Sequence, residues 1–151
     1  MAQLTTREVA RYIVRFAQDK GEPITNLKLQ KLLYYAQGWH LAFFDKPLFR
    51  DSIEAWVHGP VVPSVYSLFK GHGYKPIPVH PRKVPIPRKL REFLSELLLT
   101  YLRFDAFSLE RMTHQEEPWK EARGSLPPTQ PCRKVISTAT MKRFFKEQLD
   151  E

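Results

Sequence analysis

The stretch NLKLQKLLYYAQGWHLAFF, residues 26–44, constrains the fold more than any other part of the chain. At helical spacing Leu29, Leu32, Leu33, Ala36, His40 and Phe43 form one stripe, and Tyr35, Trp39 and Ala42 widen it over most of the circumference. A helix apolar on most sides is stable in water only when other elements surround it. The pattern therefore predicts a central helix over about 26–44, capped by Thr25 or Asn26, with Leu32, Leu33, Ala36, His40 and Phe43 buried. On that stripe His40 reads as a core histidine with one hydrogen-bond partner.

The rest of the chain supplies the surroundings. Thr5 and Glu8 have capping-box spacing, and Val9, Ala10, Ile13, Phe16 and Ala17 share a helical face that Gly21 brings to an end. In SIEAWVHGPVV, Ile53, Ala55 and Val57 alternate with Glu54, Trp56 and His58, which predicts a short strand followed by a turn at Gly59-Pro60. Pro63 suits the first turn of a short helix that faces Val65, Leu68 and Phe69 to the core and ends at Gly71. Prolines at 76, 78, 81, 85 and 87 exclude helix and hold 75–87 extended along the surface. Pro87 opens an amphipathic helix through Leu90, Phe93, Leu94, Leu97, Leu98 and Tyr101. Ser108 is positioned to cap the next, and Pro118 begins another, closed by Gly124. KVIS adds a brief strand, and Met141, Phe144, Phe145 and Leu149 mark a terminal helix. The expected fold is mainly α (α+β): one compact helical domain over 1–151, with at least five helices around the central one and a small antiparallel sheet.

A length of 151 residues suits a single core. The one cysteine, Cys132, cannot make an internal disulfide, which fits a reducing compartment, and it reads as a partly exposed spectator thiol. The first residues carry charge throughout and have no uninterrupted apolar run, so neither a signal peptide nor a membrane span is expected, and a cytoplasmic location is. The net charge of +8 is unevenly placed: Lys70, Lys75, Arg82, Lys83, Arg88, Lys89 and Arg91 fall in a run from 70 to 91 that contains no Asp or Glu. A one-signed segment attracts phosphates or an acidic protein surface.

Chemistry-bearing residues concentrate in LERMTHQEEPWKEARG, residues 109–124. His114 falls near the end of one helix and Trp119 in the first turn of the next. Glu116 and Glu117 precede that helix, where carboxylates meet unpaired backbone N–H groups. Metal binding needs three or four converging ligands, and the local chain offers His114 with one glutamate. HExxH and CxxC spacings are absent, and no nucleophile stands beside a base. The stretch reads as a seam between helices that can also form part of a binding surface, with no catalytic, cofactor or metal residues expected.

ITNLKLQKLLYYAQGWHLA, EAWVHGPVVPSVYSLFKGHG, and MTHQEEPWKEARG followed by VISTATMKRFFK resemble, in that order, the Panacea antitoxin domain family of SocA-like and GepA-like proteins. The resemblance runs from about Thr5 to Phe145. It implies a small cytoplasmic antitoxin of a type II system, encoded beside its toxin in prophage or mobile DNA, which neutralises that toxin by direct binding. It also implies an adaptor role in delivering the toxin to the Clp protease, and no catalysis. The matching positions are Asn26, Lys28, Leu29, Gln30, Lys31, Leu32 and Tyr35; then Trp56, Gly59, Pro60, Val61 and Tyr66; then His114, Pro118 and Trp119. The polar and aromatic ones without an evident core task, Gln30, Lys31, Tyr35, Trp56, Tyr66, His114 and Trp119, are candidate partner contacts, with His58 beside them. Arg82 and Lys83 join them from the basic run, which is expected to meet an acidic toxin surface with aromatic anchors from Trp56–Tyr66 nearby. No added helix-turn-helix unit is expected, which argues against an autorepressor.

Two other classes fit parts of the sequence. The basic run 70–91 suits a nucleic-acid-binding regulator, which would bind with a steep salt dependence. A histidine-dependent hydrolase would need His40, His58 and His114 to converge in one pocket.

Overall fold

The central helix comes as the sequence pattern demands. A computed structural model describes residues 4–149, and in it α1 (Thr6–Asp19) and α2 (Asn26–Phe44) are followed by a hairpin of β1 (Glu54–Trp56) and β2 (Gly59–Val61). Then come α3 (Pro63–Phe69) with a 3-10 turn at Lys70–His72, α4 (Arg88–Tyr101), α5 (Ala106–His114), α6 (Glu117–Arg123) and α7 (Thr138–Leu149). The result is an α-dominated fold with a two-stranded antiparallel sheet. Thr5 and Glu8 form the capping box of α1, Thr25 caps α2 through Lys28 N–H, and Gly21 has φ +74°.

α1, α3, α4, α5 and α7 and the hairpin gather around α2. Leu29, Leu32, Leu33, Tyr34, Tyr35 and Ala36 are buried, as is His40, whose Nδ1 lies 2.7 Å from the Lys46 carbonyl. α7 packs most extensively against it, and Gly38 makes the contact close: a Cβ there would lie 2.1 Å from Phe145 Cε2. Phe145 sits among Tyr34, Tyr35 and Trp39, and Tyr35 stacks on Tyr101 at 4.3 Å.

Six local expectations need correction. Phe43 is 54% exposed: its ring touches Trp39, Phe44 and Phe93, but part of it stays open to solvent at the end of α2, where Asp45 terminates the helix in a left-handed conformation. Gly59-Pro60 is not the turn: Val57-His58 reverses the chain, and Gly59–Val61 is the second strand, with Ala55 opposite Pro60. This sheet is two strands wide, and a bridge from Glu54 to Val135 covers the other edge of β1, so the expected KVIS strand shrinks to that bridge with Ala55 N–H donating to Lys134 O. Asp105, not Ser108, caps α5, its carboxylate accepting Ser108 N–H at 2.7 Å. Cys132 is buried, and Leu68, on the outer side of the short α3, is exposed.

The proline segment 75–87 is extended and tied to α1. Gln18 Nε2 donates to the carbonyls of Ile77 and Val79, and an Arg15 guanidinium N–H donates to that of Pro81. Ile77 is buried and donates its N–H to Ile24 O. The segment is thus a strap laid on the surface and pinned at several points.

Candidate functional site

The three sequence motifs meet where α2 passes the hairpin and the α5–α6 seam. Gln30, on α2, accepts Val62 N–H at 2.9 Å and donates to Asn26 Oδ1, while Asn26 Nδ2 donates to Tyr66 O. One side chain pair therefore fixes α2 to the start of α3. One residue on, Lys31 runs beneath the hairpin and donates to Pro60 O at 3.2 Å. Gly59 allows that passage: its φ is +105°, and a Cβ would lie 2.6 Å from Lys31 Cε and 2.9 Å from Thr113 Oγ1. Burial pushes the Lys31 amine down to about 7, against the opposing pull of Glu110.

The α5–α6 seam holds the other side of the hairpin. Three successive carbonyls, of Ala55, Trp56 and Val57, accept hydrogen bonds from Arg123 (3.0 Å), Trp119 Nε1 (2.8 Å) and His114 Nε2 (2.9 Å). The His114 and Trp119 rings stack at 4.1 Å, and the Arg123 guanidinium lies over the Trp119 ring. Arg123 also donates to the carbonyls of Pro127, Pro128 and Gln130, which fixes the loop after α6. Burial lowers the His114 pKa, so the imidazole is neutral with Nε2–H as donor.

Glu116 departs from the capping role expected of it. It occupies the N-cap position of α6 without capping it, and its two carboxylate oxygens accept the hydroxyls of Tyr34 and Tyr35 at 2.9 Å each. Burial raises its pKa to about 7, and the two tyrosine hydrogen bonds oppose that rise. The tyrosine hydroxyls are in turn held neutral by burial and by the carboxylate beside them. This network is continuous with Tyr101, which stacks on Tyr35 and accepts Trp39 Nε1–H at 2.8 Å. Glu117 is exposed and pairs with Arg143 on α7.

The candidate partner contacts therefore divide. Gln30, Lys31, Tyr35 and Trp119 are buried, and as surface contacts they are corrected: the first three spend their polar atoms holding α2 to the hairpin and the seam, and Trp119 spends its own holding the seam to the hairpin. His114 is half-buried and locked. Trp56 and Tyr66 are half-buried and packed edge to face at 5.1 Å, with Trp56 Nε1 donating to Glu54 and Arg133 lying over its ring. His58 is exposed beside Glu110 at 3.3 Å, and Arg82 and Lys83 are exposed on the strap. The three histidines do not converge, for His40 packs on Phe44 and Phe93 while His58 and His114 lie at the hairpin. Among the described residues no three His, Cys, Asp or Glu side chains cluster as metal ligands do. None of their helices is long and apolar enough to cross a membrane. Arg123 and Glu116 carry the seam, and sequence reasoning missed the part each plays. Arg123 sits at the end of a short polar helix, where a solvated cation is the ordinary expectation, and Glu116 has the spacing of a cap.

Residues 29–120, which hold most of these contacts, are the span matched by the family described as antitoxin SocA-like, Panacea domain. The chain belongs to this family. A relative, Antitoxin SocA of Caulobacter vibrioides (strain NA1000 / CB15N), is 36% identical over 126 residues, covering 75% of this chain and 67% of its own. No solved structure matches the chain. The Panacea match begins inside α2 and ends in α6, so it takes in the hairpin, the strap and the His114–Trp119 part of the seam and leaves out α1, Arg123 and α7.

Proposed function

We propose that this chain is the antitoxin of a type II toxin–antitoxin pair, that its residues act as one non-catalytic domain in the cytoplasm, and that it silences a cognate toxin by binding it directly. The observation that carries the reading is the family match over 29–120 together with the 36% identity to Antitoxin SocA. The geometry is in keeping with it. The polar groups of the three motifs are absorbed by hydrogen bonds that hold α2, hairpin and seam together, which leaves a rigid scaffold whose exposed loops and strap are free for recognition. A preformed surface loses little entropy on docking, and a stable complex needs that economy, since nanomolar affinity corresponds to about −12 kcal/mol.

The finer mechanism proposed is that the complex also serves as an adaptor, presenting the toxin to the Clp protease. Two assays test the reading. Expression of the product of the neighbouring reading frame should arrest growth, and co-expression of this chain should relieve the arrest and yield a co-purifying complex. The purified toxin should then disappear in the presence of Clp protease and ATP only when this chain is added. A toxin neutralised but not degraded leaves the antitoxin reading in place and removes the adaptor role.

A further inference from the structure

Between α1, α3 and the strap lies an open groove of about 590 Å3. Its floor is aliphatic and aromatic, from Leu68, Phe69, Val79 and Val84 with the rings of Pro81 and Pro85. Leu68 and Val79 are large apolar side chains left exposed here. Four cations stand on its two walls, Arg7 and Arg11 on α1 and Arg82 and Lys83 on the strap, against a single carboxylate, Glu8. That carboxylate is already engaged in the capping box with Thr5 N–H. Several other surface arginines are partnered, Arg15 with Asp19, Arg88 with Glu92, Arg133 with Glu54 and Arg143 with Glu117, whereas Arg91, Arg103 and Arg111 stand singly and not four together. Among the described residues none of the four groove cations is in an ion pair. An adjoining groove of about 710 Å3 shares Lys83, Val84 and Pro85 and adds Arg91 together with the Arg15–Asp19 ion pair. The strap between them is stiffened by its prolines and pinned to α1 through Gln18 and Arg15, so the grooves are set before any partner arrives.

Unneutralised cations on both walls of an apolar floor call for an occupant with carboxylates and aliphatic groups together. An extended peptide supplies both, because its side chains alternate between opposite faces. Resting on the antitoxin reading above, we propose that this groove docks an extended segment of the toxin in which acidic and aliphatic residues alternate, the aliphatic ones on Leu68 and Val79 and the acidic ones against Arg7, Arg11, Arg82 and Lys83. Trp56 and Tyr66, which are packed on each other, are not its anchors. A nucleic acid fits the floor poorly. Its single-stranded form is held by exposed aromatic platforms, and Phe69, the one aromatic lining the groove, is buried.

The probe is a short fluorescent peptide alternating glutamate and leucine, titrated by anisotropy against the full chain. A peptide alternating glutamate and serine and an oligothymidylate serve as comparisons. The glutamate–leucine peptide should bind at least about tenfold tighter than the glutamate–serine peptide, and Arg11→Glu with Lys83→Glu should weaken it by about tenfold or more. Reversing Arg103 and Lys134, exposed cations outside the groove, should leave it within about twofold. Equal binding of the serine peptide, tighter binding of oligothymidylate, or an equal loss from the outside pair would overturn the proposal. All variants lie on exposed side chains, and their thermal melts confirm the fold before titration. A toxicity assay separates the two levels. If the wild-type chain relieves the neighbouring toxin and the groove variant relieves it equally well, the groove is wrong and the antitoxin reading stands. If the wild type relieves nothing, the antitoxin reading fails whatever the peptide does.

Discussion

Replacing Glu116 with Gln should stabilise this protein at mildly alkaline pH and leave it unchanged in acid. The folded carboxyl has a pKa of about 7 against an ordinary 4.5, with burial as the cause. A raised folded pKa means that the native state binds a proton that the unfolded chain has already released. The associated stability is complete below 4.5 and is lost as pH rises through 7. At roughly 1.4 kcal/mol for each pH unit, the interval corresponds to about 3 kcal/mol. Gln has the shape and hydrogen-bonding complement of the neutral acid: its oxygen accepts one tyrosine hydroxyl and its amide donates to the other, so both Tyr34 and Tyr35 stay satisfied. Urea unfolding of both proteins at pH 4.5 and pH 8, followed by tryptophan fluorescence, reads the difference. The variant should match the wild type at the lower pH and exceed it by up to about 3 kcal/mol at the higher. A variant that is less stable at pH 8, or a difference that does not change with pH, would refute the claim that burial dominates the Glu116 environment.

Lys31 gives the mirror case: its folded pKa of about 7 lies below the ordinary 10.5, so wild-type stability should climb between pH 7 and 10.5 by at most about 5 kcal/mol, and Lys31→Met should abolish that climb in the same assay. Leu33→Ala removes a fully buried side chain of the central helix and should cost about 2–5 kcal/mol in urea unfolding. Gly38→Ala should cost about 1–3 kcal/mol and lower the thermal midpoint, because the new methyl group meets the Phe145 ring, itself enclosed by Tyr34, Tyr35 and Trp39.

What could be read from the sequence was whatever periodicity and local chemistry determine. The α2 stripe, the capping box at Thr5, the helix start at Pro63 and the extended strap all follow from residues close together in the chain. What escaped depends on partners distant in sequence. Phe43 lies on the apolar stripe yet is exposed, because the packing of Phe93 from α4 leaves part of its ring open to solvent. Gly59-Pro60 carries turn chemistry, but Gly59 is needed for the passage of Lys31 beneath a strand, a requirement set by a residue twenty-eight positions earlier. The same holds for the candidate site. His114 and Trp119 could be placed on a seam from spacing alone, whereas the hydroxyl pair on Glu116 joins residues more than eighty positions apart. The expectation that Gln30, Lys31 and Tyr35 face outward failed for a physical reason: buried polar groups need hydrogen-bond partners, and these side chains supply them, Gln30 and Lys31 to backbone groups of the hairpin region and Tyr35 to the Glu116 carboxylate.

The central claim is that the chain neutralises a toxin by binding it. The most direct measurement is co-purification of the tagged chain with the untagged product of the neighbouring reading frame, followed by growth of cells that express the toxin with and without the chain. A stoichiometric complex together with restored growth is the predicted result. Restored growth without any complex, or a complex that leaves the growth arrest in place, would contradict the account.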